Sequence, residues 1–148
     1  MRAMSKACAL AFLAVAGVAE AQTYKRFDKV EAETEAGFPW EKCYVDAVFP
    51  GAYALSCDRT GRVMVYDVKV RKPGGQPIAK SAAQPVVEGQ WKHNDLVLAS
   101  PTYLASSWEL CAYDRPQGGG HALMCGTTGY VVGNDWVRAD PDAPGADE

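Results

Sequence analysis

The chain has 148 residues, 48% of them hydrophobic and 22% charged, with a formal net charge of −3. That composition belongs to ordinary globular proteins and excludes disordered and collagen-like classes. The acidic balance and the lack of a basic aromatic patch argue against a nucleic-acid partner.

The chain opens on an export signal. Arg2 and Lys6 form a positive start, residues 7–18 are apolar without a charge, and Ala19-Glu20-Ala21 fits signal-peptidase cleavage before Gln22. The apolar run is far short of the roughly 20 residues that span a bilayer. Cys8 sits at its beginning, where a lipid anchor would need a cysteine at its end. A periplasmic or secreted protein with no membrane anchor is therefore expected. Removing Arg2, Lys6 and Glu20 with the leader takes the net charge from −3 to −4. The expected domains are a signal peptide at 1–21, one all-β domain at 22–138 and a flexible acidic tail at 139–148.

Residues 22–37 are charged, with Glu31, Glu33 and Glu35 at alternate positions, and read equally as a short helix or an extended arm. Phe38-Pro39-Trp40 opens a first unit at about 38–70. Its runs 44–48 and 52–56 flank a Pro-Gly turn and predict a hairpin, and residues 63–70 alternate as a strand. Residues 72–77 carry turn signals. Residues 86–91 and 96–99 flank Lys92-His93-Asn94-Asp95 and predict a second hairpin. A second unit, about 106–138, then repeats the strands of the first. About eight short strands with little helix predict an antiparallel barrel or sandwich.

The second unit follows from self-comparison. A slide of 68 residues lays Trp40-Glu41-Lys42-Cys43 on Trp108-Glu109-Leu110-Cys111 and gives 11 identities over the 24 positions from 40 to 63. Asp46 falls on Asp114, Cys57 on Cys125 and Thr60-Gly61 on Thr128-Gly129. Each unit carries its own pair of cysteines. An even number of cysteines after cleavage, widely spaced in an exported chain, reads as disulfides rather than metal ligands. Cys43–Cys57 and Cys111–Cys125 are the simplest pairing. A hairpin centred near Pro50 sets Cys43 opposite Cys57 and Val45 opposite Leu55; in the second unit Cys111 faces Cys125 and Tyr113 faces Leu123. The same register sets Glu41 opposite Arg59 and Glu109 opposite Thr127.

Catalytic chemistry finds little support. Nucleophilic catalysis needs an activated Ser or Cys beside a base, yet the cysteines are committed to disulfides and no G-x-S-x-G elbow exists. His93 and His121 read as surface or loop histidines. Asp46 and Asp114 resemble an acid–base pair but occupy different units, so the plainer reading is a turn-proximal Asp. Trp40 and Trp108 read first as aromatic caps on the core and second as platforms for a sugar ring. Trp91 is the better candidate for an exposed aromatic. No cofactor or metal is expected.

The cysteine plan, Cys43 to Cys57 and Cys111 to Cys125, is similar to that of cyanovirin-N-type lectins, which carry two tandem units each with an internal disulfide around a hairpin. The S-x-I-D-L-N and D-G-x-L-x-W stretches that follow the second cysteine in that family are absent here. Tyr44-x4-Phe49-x-Gly51 also resembles a βγ-crystallin hairpin, although Tyr113-x4-Gly118 departs from it. The resemblance to lectins implies sugar binding.

The expectation is an exported, non-enzymatic binding protein taking carbohydrate or cell-envelope glycan through duplicated sites at Trp40, Asp46, Trp108 and Asp114, with Trp91. The alternative is a periplasmic proteinaceous inhibitor or immunity protein that blocks a toxin or hydrolase with one hairpin tip. A hydrolase ranks third.

Overall fold

The computed structural model describes residues 24–100 and 107–144. The export signal expected at 1–21 and the last four residues lie outside the described part. Ten strands follow in chain order: β1 (Lys29–Ala32), β2 (Glu41–Phe49), β3 (Ala52–Cys57), β4 (Gly61–Tyr66), β5 (Val70–Arg71), β6 (Leu96–Ala99), β7 (Glu109–Gln117), β8 (Gly120–Cys125), β9 (Gly129–Asn134) and β10 (Val137–Arg138). They form two antiparallel five-stranded sheets, ordered β4-β3-β2-β1-β5 and β10-β6-β7-β8-β9. The two orders are the same once β6–β10 are read as a second β1–β5. The fold is all-β and sandwich-like rather than a closed barrel, since β4 does not pair with β5.

Each sheet folds for reasons visible in its residues. In β2 and β3 the odd positions Cys43, Val45, Leu55 and Cys57 are buried while Lys42 and Tyr44 face outward, the period-two pattern of a half-buried strand. One short 3-10 turn, Asp67–Lys69, carries the chain from β4 at one edge to β5 at the other. The sheet therefore curls, and side chains from all five strands meet in one cluster that includes Val30, Val45, Leu55, Val65 and Val70. Fully burying one such side chain is worth about 1.5–3 kcal/mol. The second sheet builds its own cluster from Val97, Ala99, Cys111, Tyr113, Leu123 and Cys125.

The hairpin register holds for Cys43↔Cys57 and Val45↔Leu55, then slips by one residue, pairing Ala47 with Ala54. The second hairpin slips at the matching place, between Tyr113 and Arg115. Asp46 and Asp114 are the extra residues of these two bulges. The turns are consequently two residues long. Pro50 precedes Gly51 at φ 87°, and Gly118 and Gly119 sit at φ 58° and 83°, a left-handed conformation that glycine tolerates best. Both expected disulfides are present, Cys43–Cys57 and Cys111–Cys125. They indicate an oxidising environment, and no helix among the described residues is long and apolar enough to cross a membrane.

The repeat is longer than the ungapped match. At an offset of 67, Lys25-x-x-Asp28 lies on Lys92-x-x-Asp95, Val30 and Ala32 lie on Val97 and Ala99, and Val70-Arg71 lies on Val137-Arg138. Residues 86–91 do not form a strand. The hairpin expected there is replaced by β6 pairing with β7 and β10, because residues 92–99 are the second copy of residues 25–32.

A third cluster joins the two sheets. Ala52, Met64 and Tyr66 from the first pack on Leu96 and Ala112 from the second, with Phe49 and Leu110 beside them. Gly126 lies so close to β4 that an added Cβ would strike the Met64 backbone nitrogen. The linker closes over this contact: buried Asp67 accepts hydrogen bonds from Ser81 Oγ (2.6 Å) and the Ala82 N–H (2.8 Å). In the acidic tail, Asp140 accepts from the Tyr66 hydroxyl at 2.8 Å and Ala143 packs against the shared cluster.

Candidate functional site

Burial in the first unit leaves one face of β1 and β2 open. Val30, Ala32, Cys43 and Val45 point into the core, so Lys29, Glu31, Lys42 and Tyr44 point out. The ladder sets Lys29 opposite Tyr44 and Glu31 opposite both Lys42 and Arg71. A shallow groove of about 270 Å³ runs over this face, lined by Lys29, Glu31, Lys42, Tyr44, Asp58 and Pro73. Tyr44 is 49% exposed. At one end Arg71 donates from Nε to Glu31 at 2.9 Å and lays its guanidinium 4.5 Å from the Trp40 ring centroid. The Arg71 hydrogen bond, with one from the Gly74 N–H, holds the Glu31 carboxyl below the usual carboxylate range.

The expected site residues fall along this face as follows. Trp40 and Asp46 lie on the same side of β2 but six residues apart, about 20 Å in an extended strand. They bracket Tyr44 rather than touching each other. Asp46 accepts a hydrogen bond from Ser56 Oγ. In the second unit Trp108 carries the same stacking partner as Trp40, with Arg138 at 4.3 Å from its ring centroid. Asp114 sits in an exposed polar cluster, accepting from the Tyr130 hydroxyl at 2.7 Å and Arg115 Nη1 at 3.0 Å, with His93 Nδ1 3.3 Å from its other oxygen. The Tyr130 bond, then the Arg115 and His93 charges, lower the Asp114 pKa. Trp91 is not a free-standing aromatic. It occupies the place of Tyr24, packs against the second core and lies 6.4 Å from the Tyr113 ring.

The two units do not present the same surface. The residues matching Lys29, Glu31, Lys42 and Tyr44 are Leu96, Leu98, Leu110 and Ala112, which pair in the same register. Of these, Leu96, Leu110 and Ala112 pack against the first unit. The face that is a groove in one unit is an internal contact in the other. Periodicity alone could not find this, but the exchanges of Lys29 for Leu96 and Glu31 for Leu98 are visible once the repeat is aligned at 67, beside that of Lys42 for Leu110 at 68. The Arg71 and Arg138 partners were missed for the same reason, since an ungapped slide of 68 runs past them.

Glu41 and Glu109 are structural. Glu41 accepts from the Arg59 N–H at 2.7 Å, the Thr60 N–H at 3.1 Å and Thr34 Oγ1 at 2.6 Å, and also from Thr60 Oγ1. Glu109 accepts from the Thr127 N–H at 2.8 Å and Thr128 Oγ1 at 3.0 Å. Each clamps the turn after its second cysteine, a stronger role than the side-chain pairing expected from register. Among the described residues, Glu109, Cys111 and Cys125 lie within metal-ligand distance of one another, but both sulfurs are bound in the disulfide.

Fold and site together define a tandem, disulfide-stapled β-module with an open polar-aromatic face. No family model matches the chain, and neither a curated protein nor a solved structure matches it. The lectin-like cysteine spacing therefore rests on the residues alone.

Proposed function

We propose that this is an exported, non-enzymatic protein that binds carbohydrate or cell-envelope glycan. The observation that carries the reading is the groove on β1 and β2, where half-exposed Tyr44 lies among Lys29, Glu31, Lys42 and Asp58, with Trp40 and Asp46 on the same side of the chain beyond its two ends. An exposed aromatic face suits the C–H face of a sugar ring, while Glu31, Lys42 and Asp46 offer charged partners to its hydroxyls, and hydrogen bonds to charged groups are the stronger kind. A groove of about 270 Å³ is just below the usual range for small-molecule sites, and its openness suits an extended chain. In the second unit, Asp114 and Tyr130 supply a smaller site of the same chemistry, and Trp108 lies at the far end of a strand whose middle is covered. Two linked sites would add avidity to weak contacts, with the first unit contributing more. Cleavage after Ala21 would deliver the chain to the periplasm or the exterior.

The test is titration of the oxidised protein with glycan fragments, comparing wild type with Tyr44→Ala and Asp46→Asn. Either change is expected to weaken binding about tenfold, equivalent to about 1.4 kcal/mol; unchanged affinity in both would remove the reading. A second reading, a proteinaceous inhibitor or immunity protein, is favoured by the two tight hairpin tips at Pro50-Gly51 and Gly118-Gly119.

A further inference from the structure

The two lysine-to-aspartate turns form a matched pair. The aspartate side chain accepts the lysine N–H in each, at 3.0 Å for Asp28 and 2.8 Å for Asp95. The residue before the aspartate has a left-handed backbone in both, φ 75° at Phe27 and 72° at Asn94. Its N–H is tied to the neighbouring strand, from Phe27 to the Val45 carbonyl at 2.7 Å and from Asn94 to the Tyr113 carbonyl at 2.8 Å. Asparagine is one of the few non-glycine residues that adopts this conformation readily, whereas a bulky aromatic there is an outlier. Packing does not explain the exception, since Phe27 is 70% exposed. The Arg26 guanidinium lies 4.7 Å from its ring centroid, and Lys25 and Lys29 flank the turn, with Asp28 its only acid.

We propose that Phe27 and Arg26 form a protruding anchor that docks into an apolar socket rimmed by carboxylates on a partner protein. Backbone strain persists where surrounding structure holds it, and it collects at functional sites. Aromatic and arginine side chains dominate the energetic centres of interfaces. The cationic turn on an acidic molecule sets the sign of the partner's rim. The twin turn, with His93 and Asn94, has the same backbone without the anchor, so the fold does not require an aromatic here. The turn meets the groove at Lys29, but Arg26 and Phe27 do not line it, and the proposal stands whether or not glycan binds.

The experiment uses the full chain in producing cells, with a photoreactive benzoyl-phenylalanine at position 27 or, as control, at 94. The protein cross-linked at 27 is identified, purified and titrated against wild type, Phe27→Asn and Arg26→Glu. The expected result is an adduct at 27 and not at 94, at least tenfold weaker binding for both variants, and a melting temperature for Phe27→Asn at or above that of wild type. No adduct specific to 27, an adduct with a second copy of this chain, or an unchanged affinity overturns the proposal. A drop of several degrees in the melting temperature of Phe27→Asn also overturns it, by making Phe27 a support of the fold.

Discussion

Glu41 is the residue whose charge the fold uses most fully. Burial pushes its carboxyl pKa up, but hydrogen bonds from Thr34, Thr60 and the Arg59 and Thr60 N–H groups outweigh this and hold it at about 2, from an ordinary 4.5. A depressed carboxylate contributes stability above its unfolded pKa and loses it as pH falls through the folded one. Urea titrations should therefore show Glu41→Gln less stable than wild type by about 1–3 kcal/mol at pH 7, with the gap closing between pH 4.5 and about 2. A constant gap down to pH 2 would show that the loss is packing, not charge. The identities Trp-Glu-x-Cys and Thr-Gly made this pair conspicuous in the sequence, but the acceptor role of Glu41 was hidden because two of its donors are backbone N–H groups and a third, the Thr34 hydroxyl, comes from outside the repeated motif. Arg71 over Trp40 was hidden differently, being a contact between β5 and the start of β2.

The hairpins show how far local pattern reaches at the level of the element. Cysteine spacing and alternating burial identified which residues face each other near Cys43 and Cys57. The slip beyond Asp46 was not legible, because a bulge changes the pairing without disturbing the apolar pattern. The segment at 86–91 was misread for a related reason: Val86 and Val87 suggest a strand, yet Val86 and Trp91 pack against the second core without joining a ladder. Each disulfide joins residues 14 apart, a loop for which the chain-entropy model gives about 3 kcal/mol. Replacing Cys43 and Cys57 together by alanine should lower stability by about that amount in denaturant melts, and the Cys111, Cys125 double replacement by a similar amount. Loss of one pair without effect would mean that the hairpin ladder holds its register unaided.

At the scale of the whole molecule, one repeated unit has become two different surfaces. Leucines and alanines in the second copy take the first copy against them, and the matching positions in the first copy carry charges and a tyrosine that stay in water. The relation between the copies was not legible from either unit alone, because each has a complete apolar face of its own. Gly126 marks the contact, so Gly126→Val should cost several kcal/mol and disrupt the contact between Met64 and Ala112, seen as increased amide exchange in β4 and β7. Unchanged exchange there would mean the units do not depend on this approach. The same asymmetry sets the central claim, that the open face of β1 and β2 is a glycan site. The most direct measurement is an array of glycans and peptidoglycan fragments probed with the oxidised protein and with Tyr44→Ala. Saturable binding, competed by free sugar and weakened about tenfold by that one substitution, is the predicted result; silence across the array, or binding indifferent to Tyr44, would contradict it.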